Sequence, residues 1–394
     1  MATVRVFLLA VAVVGVLVRP PPFPSWFAPA AMLGVGLGVG AVEVAAVGDA
    51  LGPLSEPLGF LLLAVPLAVL LDGLGFFAAV AARIDHSRYL HLGLWFFAAA
   101  VTTVLNLDAS VVLLTPLYVR IARRHGLDPL AAAFTPMLLA CFASSALPVS
   151  NLTNLLAAER FDLGAVDFAL RLGPASFVAV VVGYHAHRRV FPEADPRATA
   201  TEAVDPRALR LGTPVVLLVL VGFTVGDAWG LPAWVVAAIA DVVLVAMVRR
   251  VPWREVPFGA AGLAGALGVL AAVTAQDLGV ERIVGGPGDA STVELFAGSV
   301  LGANALNNLP ALLVALPALD GAPEPRLWAV LLGLNMGPVL VVSGSLAGLL
   351  WLDAVRRLDV AVDVGTYTRV GLRVGLPALA AGFVTLLITN AVVR

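Results

Sequence analysis

Lysine is absent from this 394-residue chain: all 24 basic residues are arginine. A phosphate-binding loop of the Walker type needs a lysine, so any use of nucleotide would have to come from a partner chain. A single cysteine, Cys141, excludes an intrachain disulfide and any multi-thiol metal site. Charge is scarce as well. Only 13% of the residues are Asp, Glu, Lys or Arg, roughly half the share of a soluble domain. With a net charge of −2 and no basic tract, nothing suggests nucleic acid as a partner. The first apolar run carries an early Arg5 and no small-residue cleavage site, and another apolar run follows soon after. It therefore reads as a retained span rather than a signal peptide.

What is present is hydrophobic: 60% of the chain, with a mean hydropathy of +0.98. Apolar runs of about 18 residues or more, separated by short charged loops, predict a polytopic α-helical membrane protein. In order, spans are expected at 3–18, at a Gly-rich 27–48, and in a long third helix at 57–82 interrupted by Asp72-Gly73. Later spans are expected at 172–187, 211–226, 230–248 and 257–275. A polar segment, 191–210, divides the chain into an N-terminal half (1–190) and a C-terminal half (211–394), and reads as a cytoplasmic linker.

Two stretches do not read as simple spans. The run 92–124 is apolar but has Asn106 and Asp108 at its middle. Arg83, His86 and Arg88 precede it; Arg120, Arg123, Arg124 and His125 follow. One spanning helix would put positive clusters on both faces, against the positive-inside bias. A re-entrant hairpin puts both clusters inside and the polar tip near the midplane, where irregular backbone survives only beside a cavity. The run 130–158 carries Ser144-Ser145, Pro148 and Ser150-Asn151-Leu152-Thr153-Asn154, which predicts a helix broken in mid-membrane.

Both features recur. Asn307 opens an apolar run ending in Pro317, with the spacing that separates Asn106 from Pro116, which predicts a second hairpin at 292–319. Gly344-Ser345-Leu346-Ala347 can be set against Ser150-Asn151-Leu152-Thr153, which predicts a second broken helix at 327–352. Threading charges through ten spans and two hairpins puts the arginine clusters inside. The acidic loops 49–56 and 277–289 and both termini then fall outside. The fold class expected is therefore two inverted-topology repeats with discontinuous helices at the midplane, the mark of a secondary transporter.

Leu71-Asp72-Gly73-Leu74-Gly75-Phe76-Phe77, Asp108 with Leu113-Leu114-Thr115-Pro116, and Pro148-Val149-Ser150-Asn151-Leu152-Thr153-Asn154 run in order along the first half. Asn307-Asn308-Leu309-Pro310, Asn335-Met336-Gly337-Pro338, Gly344-Ser345-Leu346-Ala347 and Gly365-Thr366-Tyr367 follow in the second. In these stretches the chain resembles the arsenite permease family of the ArsB type. That family lies within the ion transporter superfamily, which also holds sodium/proton antiporters of the NhaD type and dicarboxylate carriers. The resemblance implies proton-coupled efflux of arsenite or antimonite across the cytoplasmic (inner) membrane. It leaves open a separate ATPase subunit or a homodimer as partner. A sodium/proton antiporter or sodium-coupled anion carrier of the same superfamily is the alternative, and an ATPase-driven channel-like subunit a third. No enzyme is expected, since no paired acid/base group or metal-ligand cluster lies within a span, and no cofactor.

The candidate residues follow from polarity at membrane depth. Asp108 is read as the proton or cation carrier, or else as a hairpin cap. Asn106, Asn307 and Asn308 at the tips could hold an ion or an uncharged hydroxylated solute, or only cap. Ser150, Asn151, Thr153 and Asn154 line the first break or join helices by hydrogen bonds; Asn335, Ser343 and Ser345 are their counterparts in the second half. Asp72 is a second proton site or a structural partner. Asp241 is as readily a structural pair of Arg249 as a transport group. Glu43 reads as structural and Cys141 as a small hydrophobe. His86, His91, His125, His185 and His187 read as interfacial.

Overall fold

A computed structural model describes residues 1–18, 23–85, 89–192, 204–226, 229–279 and 291–392. Part of the 83–88 cluster (His86, Arg88), most of the linker and the acidic loop Glu281–Asp289 lie outside the described residues. Among the described residues the chain is helical, with no strand. Among these residues, four helices are long and apolar enough to cross a bilayer: Ser55–Gly73, Pro206–Val225, Phe258–Ala275 and Val364–Val392. Ala165–Arg171 and Gly173–Val190, which meet at 51°, reach that length and apolarity only when taken together. The other apolar helices are shorter, because the chain interrupts them.

The first half runs α1 (Ala2–Val18), α2 (Phe27–Gly38), α3 (Val44–Leu51), α4 (Ser55–Gly73), α5 (Phe76–Asp85), α6 (Leu90–Val104), α7 (Leu107–His125), α8 (Pro129–Phe142), α9 (Leu152–Phe161), α10 (Ala165–Arg171) and α11 (Gly173–Val190). The second runs α12 (Pro206–Val225), α13 (Ala233–Val248), α14 (Phe258–Leu278), α15 (Thr292–Leu306), α16 (Asn308–Ala315), α17 (Glu324–Met336), α18 (Leu346–Arg357), α19 (Val364–Val370) and α20 (Leu376–Val392), the last two joined by a π-helical turn. One expected span is corrected, and the interruption expected in another is placed more closely. The run 27–48 stops at Gly38 and turns through Val39–Glu43, with Gly40 at φ 69°, before α3 begins. The third helix breaks at Leu74-Gly75, where Gly75 takes φ 82°. Glycine-rich sequence tolerates both turns at little backbone cost.

Ends are marked by local chemistry. Asp128 caps α8 by accepting from the Leu130 amide at 2.9 Å, with Pro129 in the first turn. Asp205 caps α12 in the same way, at 2.8 Å from the Arg207 amide. Ser291 and Glu294 form a reciprocal box at the start of α15. Gly126 closes α7 in the left-handed conformation.

The two breaks sit in a common core. α7 packs between α8 and α18, and α15 packs on α17. Trp351 of α18, fully buried, donates to the Ala133 carbonyl of α8 at 2.7 Å and lies 4.7 Å from the Phe134 ring. Helices α1, α2 and α14 form a flanking layer, and α4 packs on α13. α15 and α17 touch backbone to backbone. A Cβ on Gly333 would stand 2.7 Å from the Phe296 carbonyl oxygen, so only glycine fits.

Candidate functional site

α6 and α7 fold back on each other around Asn106. Tyr118 donates to the Leu94 carbonyl at 2.6 Å, and the Thr102 and Ser110 hydroxyls meet at 2.9 Å. Each of these pairs lies equally far before and after Asn106, which is the signature of an antiparallel hairpin. The Asn106 side chain accepts from the Asp108 amide at 2.8 Å and so starts α7. Asp108 in the first turn is 8% exposed, and its Oδ1 has no hydrogen-bond partner among the described residues.

Asn307 repeats this arrangement between α15 and α16. Its Oδ1 accepts from the Leu309 amide at 3.3 Å. Its backbone sits at φ 81°, ψ 148°, a setting costly for a residue with a Cβ. The side chain is tied at its other end too, donating to the Ser343 carbonyl at 3.0 Å, so the strained turn is held from both sides.

The breaks match as closely. After α8 the chain passes through a short 3₁₀ turn, Pro148–Ser150, and Asn151 (φ −149°, ψ 138°) caps α9 by accepting from the Thr153 amide. After α17 it passes through Val342–Gly344, and Ser345 (φ −146°, ψ 161°) caps α18 by accepting from the Gly348 amide. A Cβ on Gly348 would fall 2.2 Å from the Val342 carbonyl oxygen, so the second break closes only around glycine.

Asn335 of α17 joins the two halves. Its Oδ1 accepts from Asn151 Nδ2 at 3.0 Å and from Thr153 Oγ1 at 2.6 Å, and its Nδ2 donates to Asn154 Oδ1 at 2.6 Å. Asn154 in turn donates to the Ser144 and Leu147 carbonyls, both at 2.9 Å, pinning the irregular stretch before the 3₁₀ turn. Ser150 donates to the Thr103 carbonyl of α6 at 2.8 Å.

These pieces enclose a cavity of about 30 Å³, room for roughly one water. Its polar lining is Asp108, Asn151, Thr153, Asn307, Asn308 and Ser345. Helices α7, α9, α16 and α18 all begin there, each presenting its cap or first-turn residues. Four helix N-termini bring their positive dipole ends to one spot, one amide of each held by its cap, and Asp108 is the one charged side chain among the described lining residues. The site is thus rich in hydrogen-bond donors, suited to oxygen atoms, and has a single group able to gain or lose a proton.

Of the residues singled out from sequence, six therefore line the cavity. Asn106, Ser150, Asn154, Asn335 and Ser343 stand behind it, holding tips and breaks in place. Asp72 is brought to neither role. It is exposed at the end of α4, within electrostatic reach of Arg120. Cys141 is buried in α8 and does not line the cavity. Sequence reasoning missed the apolar wall opposite the tips: Val16 of α1, Leu61 of α4, and Ala260, Leu263 and Leu267 of α14. Such residues look like any other part of an apolar helix and carry no signal of their own.

The citrate transporter family (CitMHS) matches this chain over residues 2–333. Among similar proteins, the arsenical pump membrane protein of Escherichia coli K12 is 29% identical over 356 residues, covering 81% of this chain and 82% of its own length. A second one from Escherichia coli is 30% identical over 369 residues, and that of Yersinia enterocolitica 29% over 369, with the same coverage. Among solved structures, the YdaH transporter of Alcanivorax borkumensis, whose crystal structure reveals an unusual topology, aligns with a TM-score of 0.55 at 18% identity. That alignment covers 87% of this chain and 86% of the other.

Proposed function

We propose, from the premise that this chain belongs to the citrate transporter (CitMHS) family and is a multi-pass membrane transporter, that it exports arsenite or antimonite in exchange for protons. The observation that carries the reading is the central cavity, where four helix N-termini meet a single carboxyl group and no arginine. A small neutral trihydroxide offers oxygens to the amide donors there and hydroxyl protons to the Asn, Ser and Thr oxygens. Asp108 takes up the coupling proton and gives it back, a role for which an ionisable group at membrane depth is suited.

A cavity with room for about one water must widen to admit even this small cargo, which supports alternating access. The wall made by α1, α4 and α14 contributes only apolar side chains to the cavity, so parting it from the polar tips breaks no hydrogen bond there. The matched caps Asn106/Asn307 and Asn151/Ser345 support two repeats. In the proposed arrangement these are residues 1–190 and 211–394 in opposite orientations, with hairpins 92–124 and 292–319 and ten spans. The linker faces the cytoplasm, both termini lie outside, and the protein resides in the inner membrane.

The family's own description and the converging helix N-termini favour one other reading, a sodium-coupled anion carrier. Everted vesicles under an imposed pH gradient separate the two. Uptake of arsenite driven by the gradient is expected; uptake of citrate or of sodium without arsenite would replace the first reading by the second.

A further inference from the structure

The seam between α4 and α13 holds a buried carboxyl group that the central cavity does not use. A Cβ on Gly59 would lie 3.9 Å from the Trp234 Cβ, and one on Gly73 would lie 3.6 Å from a Val248 methyl. Contacts at both ends in the same order make the two helices parallel. Gly59, Pro66 and Gly73 recur every seven residues, as do Trp234, Asp241 and Val248, and residues so spaced share one helix face. Asp241 therefore stands level with Pro66, in the middle of the seam. It belongs to the buried face Val236, Ala237, Ala240, Asp241 and Leu244. It is 9% exposed, and its Oδ1 has no hydrogen-bond partner among the described residues. Arg249 is exposed at the helix end and makes no pair with it.

Pro66 supplies what the carboxyl lacks. Proline has no N–H, so the Leu62 carbonyl has no amide donor one turn on, and a proline ring tends to open a helix on its own face. That face of α4, shared by Gly59, Pro66 and Gly73, is the one α13 covers. A helical side chain leans toward the helix N-terminus, which carries the Asp241 carboxyl from the level of Pro66 toward that of Leu62. A carbonyl that Pro66 leaves without its amide donor and a carboxyl oxygen without a partner thus fall at one level of the seam. No cation is at hand: α4 carries only Glu56 and Asp72, near its two ends, α12 has Arg207 and Arg210 in its first turns, and α13 has no other charge.

We propose that Asp241, as the neutral acid, donates a hydrogen bond to the Leu62 carbonyl oxygen that Pro66 leaves unpaired, and so sets the bend of the helix that presents Leu61 to the cavity. Asp241 is a positioning residue for that wall. An ionised Asp241 would set two oxygens against one another with no cation between them, so the bond carries the proton itself. Loss of the proton lets α4 relax and moves Leu61.

Only the flux readout rests on the transport reading above. The infrared spectrum of the purified protein in lipid is expected to lose a protonated-carboxyl band in Asp241→Asn. Loss of a carboxylate band instead, or no change, overturns the proposal. Asp241→Leu is expected to lower Tm. In a Pro66→Ala background, where the substitution gives the Leu62 carbonyl back its amide donor, the same change is expected to cost nothing. An equal drop in both backgrounds overturns it. In vesicles Asp241→Asn, which keeps a donor, is expected to retain flux while Asp241→Leu loses it several-fold. If both lose flux alike, the donor role fails. The spectrum and the melting cycle decide even if arsenite is not the cargo.

Discussion

Asp108 and Asn335 are both buried polar residues, and their surroundings differ. Asp108 has an unpartnered oxygen on the cavity, whereas every polar atom of the Asn335 side chain is engaged. Asp108→Asn keeps the shape and removes the titratable group. Vesicles carrying it are expected to show no proton-driven arsenite uptake while solute exchange at equal pH survives; retained pH-driven uptake would remove Asp108 from the coupling step. Asn335→Leu orphans the donors of Asn151 and Thr153 and the acceptor of Asn154, at about 1–3 kcal/mol for each group left buried and unpaired. A lower Tm in detergent is the expected result. Cys141 lies off the cavity, so Cys141→Ala is expected to leave arsenite flux at the wild-type level. An As(III) ligand at that position would show as its loss.

The elements that matter most are the short ones. Gly348→Ala would press a methyl against the Val342 carbonyl, 2.2 Å away on present geometry. Its expected cost is about 1–3 kcal/mol, with Ser345 displaced from the cavity and transport lowered more than stability. The tips and breaks are legible in the sequence because polar and helix-breaking residues are conspicuous inside apolar runs: Asn106-Leu107-Asp108 and Ser150-Asn151 stand out. Which of those residues line the cavity and which only hold it is not legible there. Asn106 and Asn308 are alike on paper, yet one caps and the other faces inward. The turn at Val39–Glu43 escapes a sequence reading because Gly-Val-Gly-Ala satisfies a helix pattern and a turn equally well; in the fold the Ala41 and Val42 amides close back on the Gly36 carbonyl. The break after α4 falls two residues later than the Asp72-Gly73 pair suggests for the same reason, since Gly73 and Gly75 both offer a turn and only Gly75 takes φ 82°.

At the scale of the whole molecule, the polar tips and breaks interlock, while α1, α4 and α14 contribute only apolar side chains to the cavity among the described residues. If that boundary parts during transport, a disulfide across it should stop flux and one within a hairpin should not. In a Cys141→Ala background, Leu61→Cys with Leu309→Cys spans the cavity, and Thr102→Cys with Ser110→Cys joins α6 to α7. Oxidation is expected to arrest arsenite uptake in the first pair and to spare it in the second. Arrest of both would mean that the hairpin itself flexes. The opposite wall could not have been anticipated from the residues, because Val16 and Leu267 become part of a site only by being brought there through folding.

The bond between Asn151 and Asn335 joins residues 184 positions apart. A ribosome making this chain inserts the first half while the partner of Asn151, Thr153 and Asn154 has not yet been synthesised. Until α17 arrives, the Asn151 Nδ2, the Thr153 hydroxyl and the Asn154 Oδ1 lack the partner that Asn335 gives them in the folded chain. The centre of the molecule is therefore assembled after translation is nearly done. A chain stalled or truncated before Asn335 leaves those three polar groups without the partner that closes the centre of the fold.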